Sequence, residues 1–166
     1  MKNLIVMILM LPVCRIALSQ NMNDDHNHTG EEYHIHTWEA GLGVGAVFIP
    51  GEDNIAPGAH IHLMRSLPGL ERLAIGPGVE TVMDEHSHYN LAFGLTYAIY
   101  KGLSAGLAPG IEFAKEEDEW SNRFSMHFEL AYGFPVGRFH IGPVAEYSFS
   151  GDEGHIMLGA HFGVGF

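Results

Sequence analysis

The chain has 166 residues, with 20 acidic against 8 basic side chains and a formal net charge of −12 when histidine is neutral. So acidic a balance excludes nucleic acid as a partner, because phosphates are held by basic side chains that replace counterions. Past residue 20 no apolar run approaches the ~20 residues of a membrane-spanning helix, which excludes a helical transporter.

The first segment reads as an export address. Lys2 precedes the apolar run Leu4–Val13, and Ala17-Leu18-Ser19 supplies small residues for cleavage, so residues 1–19 are expected to be a secretory signal peptide. Cys14 would be the acylated residue of a lipoprotein, but Val13 is bulkier than the residue usual before such a cysteine. Cleavage after Ser19 removes the single cysteine, leaving no disulfide or thiol chemistry. Residues 20–37, rich in Asp, Glu, Asn and His without periodicity, are expected to form a flexible periplasmic tail carrying His26, His28, His34 and His36.

From Trp38 the chain alternates with period two, as strands do. Leu42, Val44 and Phe48 share one face of the first segment, and Glu39, Gly41 and Gly43 the other. Phe124, Met126, Phe128 and Leu130 oppose Arg123, Ser125, His127 and Glu129 in the sixth. Ile156, Leu158 and Phe162 oppose His155, Met157 and His161 in the last. Eight such segments fall at about 38–49, 57–67, 71–83, 90–100, 103–115, 121–136, 138–150 and 154–166, long enough for tilted membrane strands. Short connections around Pro68-Gly69, Lys101-Gly102 and Gly137 alternate with acidic ones at 50–54, 84–89, 116–119 and 151–154. Short turns at one end and polar loops at the other predict an all-β, eight-stranded antiparallel up-and-down transmembrane β-barrel over residues 38–166. A soluble sandwich or lipocalin-like barrel would need a dry apolar interior, whereas the face opposite the large apolar residues is Gly, Ala, Ser, Glu and His.

With this pattern the mature chain resembles the small eight-stranded outer-membrane barrel proteins of Gram-negative bacteria. The terminal aromatic Phe166 fits that resemblance. The His-rich tail and lumen are similar to those of His-rich barrels of this kind, a likeness that supplies no activity. The resemblance implies an outer-membrane location, outer-membrane lipid as surroundings and the barrel-assembly machinery as a partner during biogenesis. It leaves function open, because one scaffold hosts unrelated activities.

Three segments repeat one device: Gly76-Pro77-Gly78-Val79-Glu80, Ala108-Pro109-Gly110-Ile111-Glu112 and Gly142-Pro143-Val144-Ala145-Glu146. Parity points the prolines at lipid and the glutamates into the lumen, at similar heights if each hairpin repeats the last. With Glu39 and Glu129 they make a lumen rich in carboxylates. Arg72, Arg138 and Arg123 are the inward arginines expected near them. Burying unpaired carboxylates is costly, so protons, histidines or a metal cation must offset the charge.

Twelve histidines make the metal the leading expectation. His60-Ile61-His62 sets two imidazoles on one strand face, His86-Ser87-His88 sits on an acidic loop, and parity aims His127, His140, His155 and His161 inward. Neutral imidazole is the commonest metal ligand, and imidazole mixed with carboxylate suits Zn²⁺ and neighbouring first-row ions. Counting from the loop end places His62, His127 and His161 at one depth. The expected ligands are His60, His62, His127, Glu129, His161, Glu80, Glu112 and Glu146 in the lumen, with His86 and His88 at the entrance. The expected role is sensing, buffering or delivery of Zn²⁺ or another divalent transition metal.

Two rivals remain. One is a structural barrel whose His and Glu bind only each other. The other is a lipid-modifying enzyme using Ser125, His127 and Glu129. In the deacylases of this class the catalytic His precedes its Ser by two and an Asn follows, on the lipid-facing surface; here the order is reversed and parity points inward, so no enzyme is expected.

Overall fold

The computed structural model describes residues 36–51, 55–84, 88–116 and 119–166. The expected signal peptide, most of the tail, and His86 lie outside the described residues. The strands are β1 (Trp38–Phe48), β2 (Ile55–Leu67), β3 (Leu70–Val82), β4 (His88–Tyr100), β5 (Leu103–Glu116), β6 (Glu119–Tyr132), β7 (Phe134–Val136), β8 (Phe139–Ser150) and β9 (Glu153–Gly165). β6 and β7 are two parts of one barrel strand, interrupted at Gly133 and pairing with β8 in one continuous register. All neighbours are antiparallel, and β1 pairs with both β2 and β9, so the sheet closes as an eight-stranded barrel. Reciprocal hydrogen bonds of 2.9 Å between Trp38 and Phe166 tie the two chain ends of the barrel together. His36 and Thr37, assigned above to the tail, are already held by Ser66, whose hydroxyl donates to the His36 carbonyl at 2.7 Å.

The hairpins follow their turn residues. Lys101 and Gly102 both take positive φ, at 39° and 88°, the signs a two-residue type I′ loop requires. This turn, Pro68-Gly69 and Gly137-Arg138 mark one end of the barrel, called here the turn end; the acidic connections mark the loop end. Arg138 departs from strand alternation. It stands exposed in its turn with the guanidinium 5.1 Å from the Phe139 ring rather than in the lumen, because a hairpin tip is outside the pleat and an aromatic face attracts the cation.

The period-two pattern resolves as apolar outside, polar inside. Phe162, Leu130, Ile61 and Phe93 lie 41–58% exposed, whereas His60, Glu80, His127, Glu146 and His161 are all at 8% or less. Such a surface is stable against acyl chains and not against water. At about 3.3 Å per residue and a tilt of about 45°, thirteen residues rise about 30 Å, the thickness of a hydrocarbon core.

Each repeated proline opens a gap in one ladder. β2–β3 pairing is absent between His62↔Gly78 and Arg65↔Ile75, beside Pro77. β4–β5 pairing is absent between Ala92↔Gly110 and Leu95↔Leu107, beside Pro109. β6–β8 pairing ends at Ala131↔Val144, beside Pro143. On its other side each proline keeps its partner, at Phe93, Met126 and Ala160. The missing N–H thus costs one side of the strand only, at a local interruption of the ladder, the kind of place to which a strand proline is confined.

Candidate metal centre

The lumen is filled unevenly. β3, β4 and β5 turn Gly76, Gly78, Gly94, Gly106 and Ala108 inward, and the space they leave is a cavity of about 80 Å³ with room for several waters. Imidazoles and carboxylates from β2, β3, β6 and β8 project into it. In the middle, His127 Nδ1 faces two carboxylates, Glu146 Oε1 at 2.7 Å and Glu80 Oε2 at 2.9 Å. The other Glu146 oxygen, Oε2, lies 3.2 Å from His60 Nδ1, and His60 Nε2 lies 3.4 Å from Glu129 Oε2. Two ligand sets result, His60–Glu129–Glu146 and Glu80–His127–Glu146, each with its donor atoms within 4.8 Å of one another. They share Glu146.

His127 is oriented from behind by Asn90, whose amide meets His127 Nε2 and also donates to Ser125 Oγ at 2.9 Å. The Ser125 hydroxyl in turn donates to Asn90 Oδ1 at 3.2 Å. Ser125 is therefore paired with Asn90, at 1% exposure, and not with His127.

Toward the loop end the lumen widens into a vestibule of about 900 Å³ bordered by Asp84, His88, Glu112, Glu153 and His155. His88 Nε2 lies 3.0 Å from Asp84 Oδ2, and Arg123 bridges Glu112 at 3.2 Å and Glu153 at 2.9 Å. His155 joins the vestibule to the centre: its Nε2 sits 2.6 Å from Ser148 Oγ and 3.4 Å from Glu80 Oε1. Toward the turn end lies a second cavity of about 80 Å³, bordered by Glu39, His62, His140 and His161. The rings of His60, His62, His161 and His140 follow one another at 5.6, 5.2 and 5.1 Å between centroids, a file of imidazoles leading from the middle to that end.

Two expectations about height are corrected. His62, His127 and His161 do not share a depth: His127 belongs to the centre, while His62 and His161 stack toward the turn end. Glu112 does not join Glu80 and Glu146, but stands in the vestibule with Arg123. The reason is strand tilt. The paired row His60, Glu80, Asn90, Glu112, Arg123 runs perpendicular to tilted strands, so it climbs from the middle of the barrel to its mouth. Glu39 and His140 were visible by parity as inward groups, yet only the closed barrel brings them to His161.

The architecture has solved counterparts. A crystal structure of Neisserial surface protein A superposes with a TM-score of 0.53 at 10% identity, over 78% of this chain and 96% of that one. The fold is that of a small outer-membrane β-barrel. Ail, the attachment invasion locus protein of Yersinia pestis, crystallised with a heparin analogue, gives 0.48 at 19% identity over 76% and 95%. The N-terminal β-barrel domain of OprF from Pseudomonas aeruginosa gives 0.48 at 12% over 77% and 97%. At such identities the likeness speaks for the fold alone. No protein family and no curated protein matches the sequence.

Proposed function

We propose that this outer-membrane β-barrel binds a divalent transition metal, Zn²⁺ or a first-row neighbour, at the central cluster of His60, Glu80, His127, Glu129 and Glu146. The observation that carries the reading is the division of Glu146 between two histidines, one oxygen toward each. Three carboxylates crowded with two imidazoles are costly to hold in a narrow lumen, and a divalent cation offsets that charge while accepting both ligand types. The vestibule, with Asp84, His88 and Glu112, supplies the acidic entrance at which a cation is first captured. An eight-stranded barrel has no open aqueous channel, so the role is sensing, buffering or delivery rather than free diffusion.

The test is a competitive Zn²⁺ titration of the detergent-extracted protein, prepared without an affinity tag, against a His127→Ala/Glu146→Gln variant. Weaker binding or fewer equivalents in the variant supports the reading; equal affinity and stoichiometry overturns it. The structural rival draws on the short His127–Glu80 and His127–Glu146 contacts, which satisfy the groups without metal. It expects the variant to lose stability and no metal.

A further inference from the structure

We infer that the barrel carries a second transition-metal site at its turn end, held by Glu39, His140 and His161 with His62 beside them. It shares no ligand with the central cluster and stands if that cluster binds nothing.

The distances separate it from a hydrogen-bond network. Glu39 Oε1 lies 3.6 Å from His140 Nε2 and 3.8 Å from His62 Nε2, beyond hydrogen-bond length. Metal–nitrogen and metal–oxygen bonds of about 2.0–2.1 Å in a tetrahedron put neighbouring ligand atoms about 3.3–3.4 Å apart, so the open spacing is close to that of a coordination shell. In the centre, by contrast, His127 sits at hydrogen-bond distance from its carboxylates.

A second observation is independent of those distances. His161 is 5% exposed, and its buried Nε2 has no hydrogen-bond partner among the described residues. A buried ring nitrogen left without a partner carries its full desolvation penalty. That atom and His62 Nε2 converge over Gly41, where a Cβ would fill the space both nitrogens face; Gly163 in the same way leaves room for the His140 ring. The glycines clear a floor and the imidazoles turn toward it. One carboxylate at these distances cannot satisfy three imidazoles by hydrogen bonding, and the nitrogen-rich set suits Zn²⁺, Co²⁺ or Fe²⁺ over Mg²⁺ or Ca²⁺.

The experiment is titration of the detergent-extracted full chain with Co²⁺, read by its visible absorption, and with Zn²⁺. It compares wild type with Glu39→Gln/His140→Ala and with His127→Ala/Glu146→Gln. The tail is common to all three, so its contribution cancels. The inference expects the Glu39/His140 variant to bind one equivalent less than wild type while the His127/Glu146 variant keeps that equivalent. Equal equivalents in wild type and a folded Glu39/His140 variant overturn it. Loss confined to the His127/Glu146 variant leaves the central reading standing alone; loss confined to the Glu39/His140 variant does the reverse. Should the Glu39/His140 variant fail to fold, side-chain ¹⁵N resonances of His140 and His161 in the wild-type protein decide. Shifts that saturate with Zn²⁺ support the site, and resonances that stay in place overturn it.

Discussion

Glu146 Oε1 lies 2.7 Å from His127 Nδ1 while its other oxygen turns to His60. One carboxylate thus couples two strands' histidines, and its charge is needed by both. Glu146→Gln keeps the shape but offers one weaker acceptor and one amide donor. Because Glu146 is itself a ligand of both sets, Zn²⁺ affinity at the centre should fall by more than the roughly 10–100-fold that follows loss of a group merely orienting a ligand. Competition with a chromophoric chelator measures it, and an unchanged constant would remove Glu146 from the site.

Asn90 should act on the metal without touching it. If His127 Nδ1 binds the ion, its Nε2 carries the ring proton and needs an acceptor, which Asn90 supplies once its amide turns to present Oδ1. Asn90→Leu removes that acceptor and should weaken binding by roughly 10–100-fold with no change in stoichiometry. Asn90→Asp should hold or raise the affinity. Identical affinity in the leucine variant contradicts this role.

Gly41 has no side chain because two imidazoles occupy the place of one. Gly41→Ala should displace His62 and His161, cost about 1–3 kcal/mol of stability as overpacking does, and abolish the turn-end metal equivalent while sparing the central one. Urea unfolding in lipid vesicles and Co²⁺ titration report the two effects separately. A variant as stable and as metal-competent as wild type would show the fit to be loose.

Ile61 stands between His60 and His62 on β2, yet points the opposite way and is 58% exposed. Arginine there would face acyl chains near the middle of the bilayer, at a cost of about 2–4 kcal/mol. Ile61→Arg should therefore fold into vesicles with correspondingly lower stability, whereas Ile61→Leu should match wild type. Equal stability of the arginine variant would place this face outside the membrane.

What the order of residues determined by itself is the barrel and the direction of each side chain. Period-two alternation is local: each residue's face depends on its neighbours alone, so Phe162 out and His161 in were legible, as were the hairpins at Pro68-Gly69, Lys101-Gly102 and Gly137. Height within the lumen is a different quantity. It depends on how strand tilt accumulates from one pairing to the next around a closed sheet, and no single segment carries that information. Only the tertiary structure could therefore lift Glu112 to the mouth beside Arg123, part His127 from His62 and His161 to join Glu80 and Glu146, and gather Glu39, His140 and His161 from β1, β8 and β9.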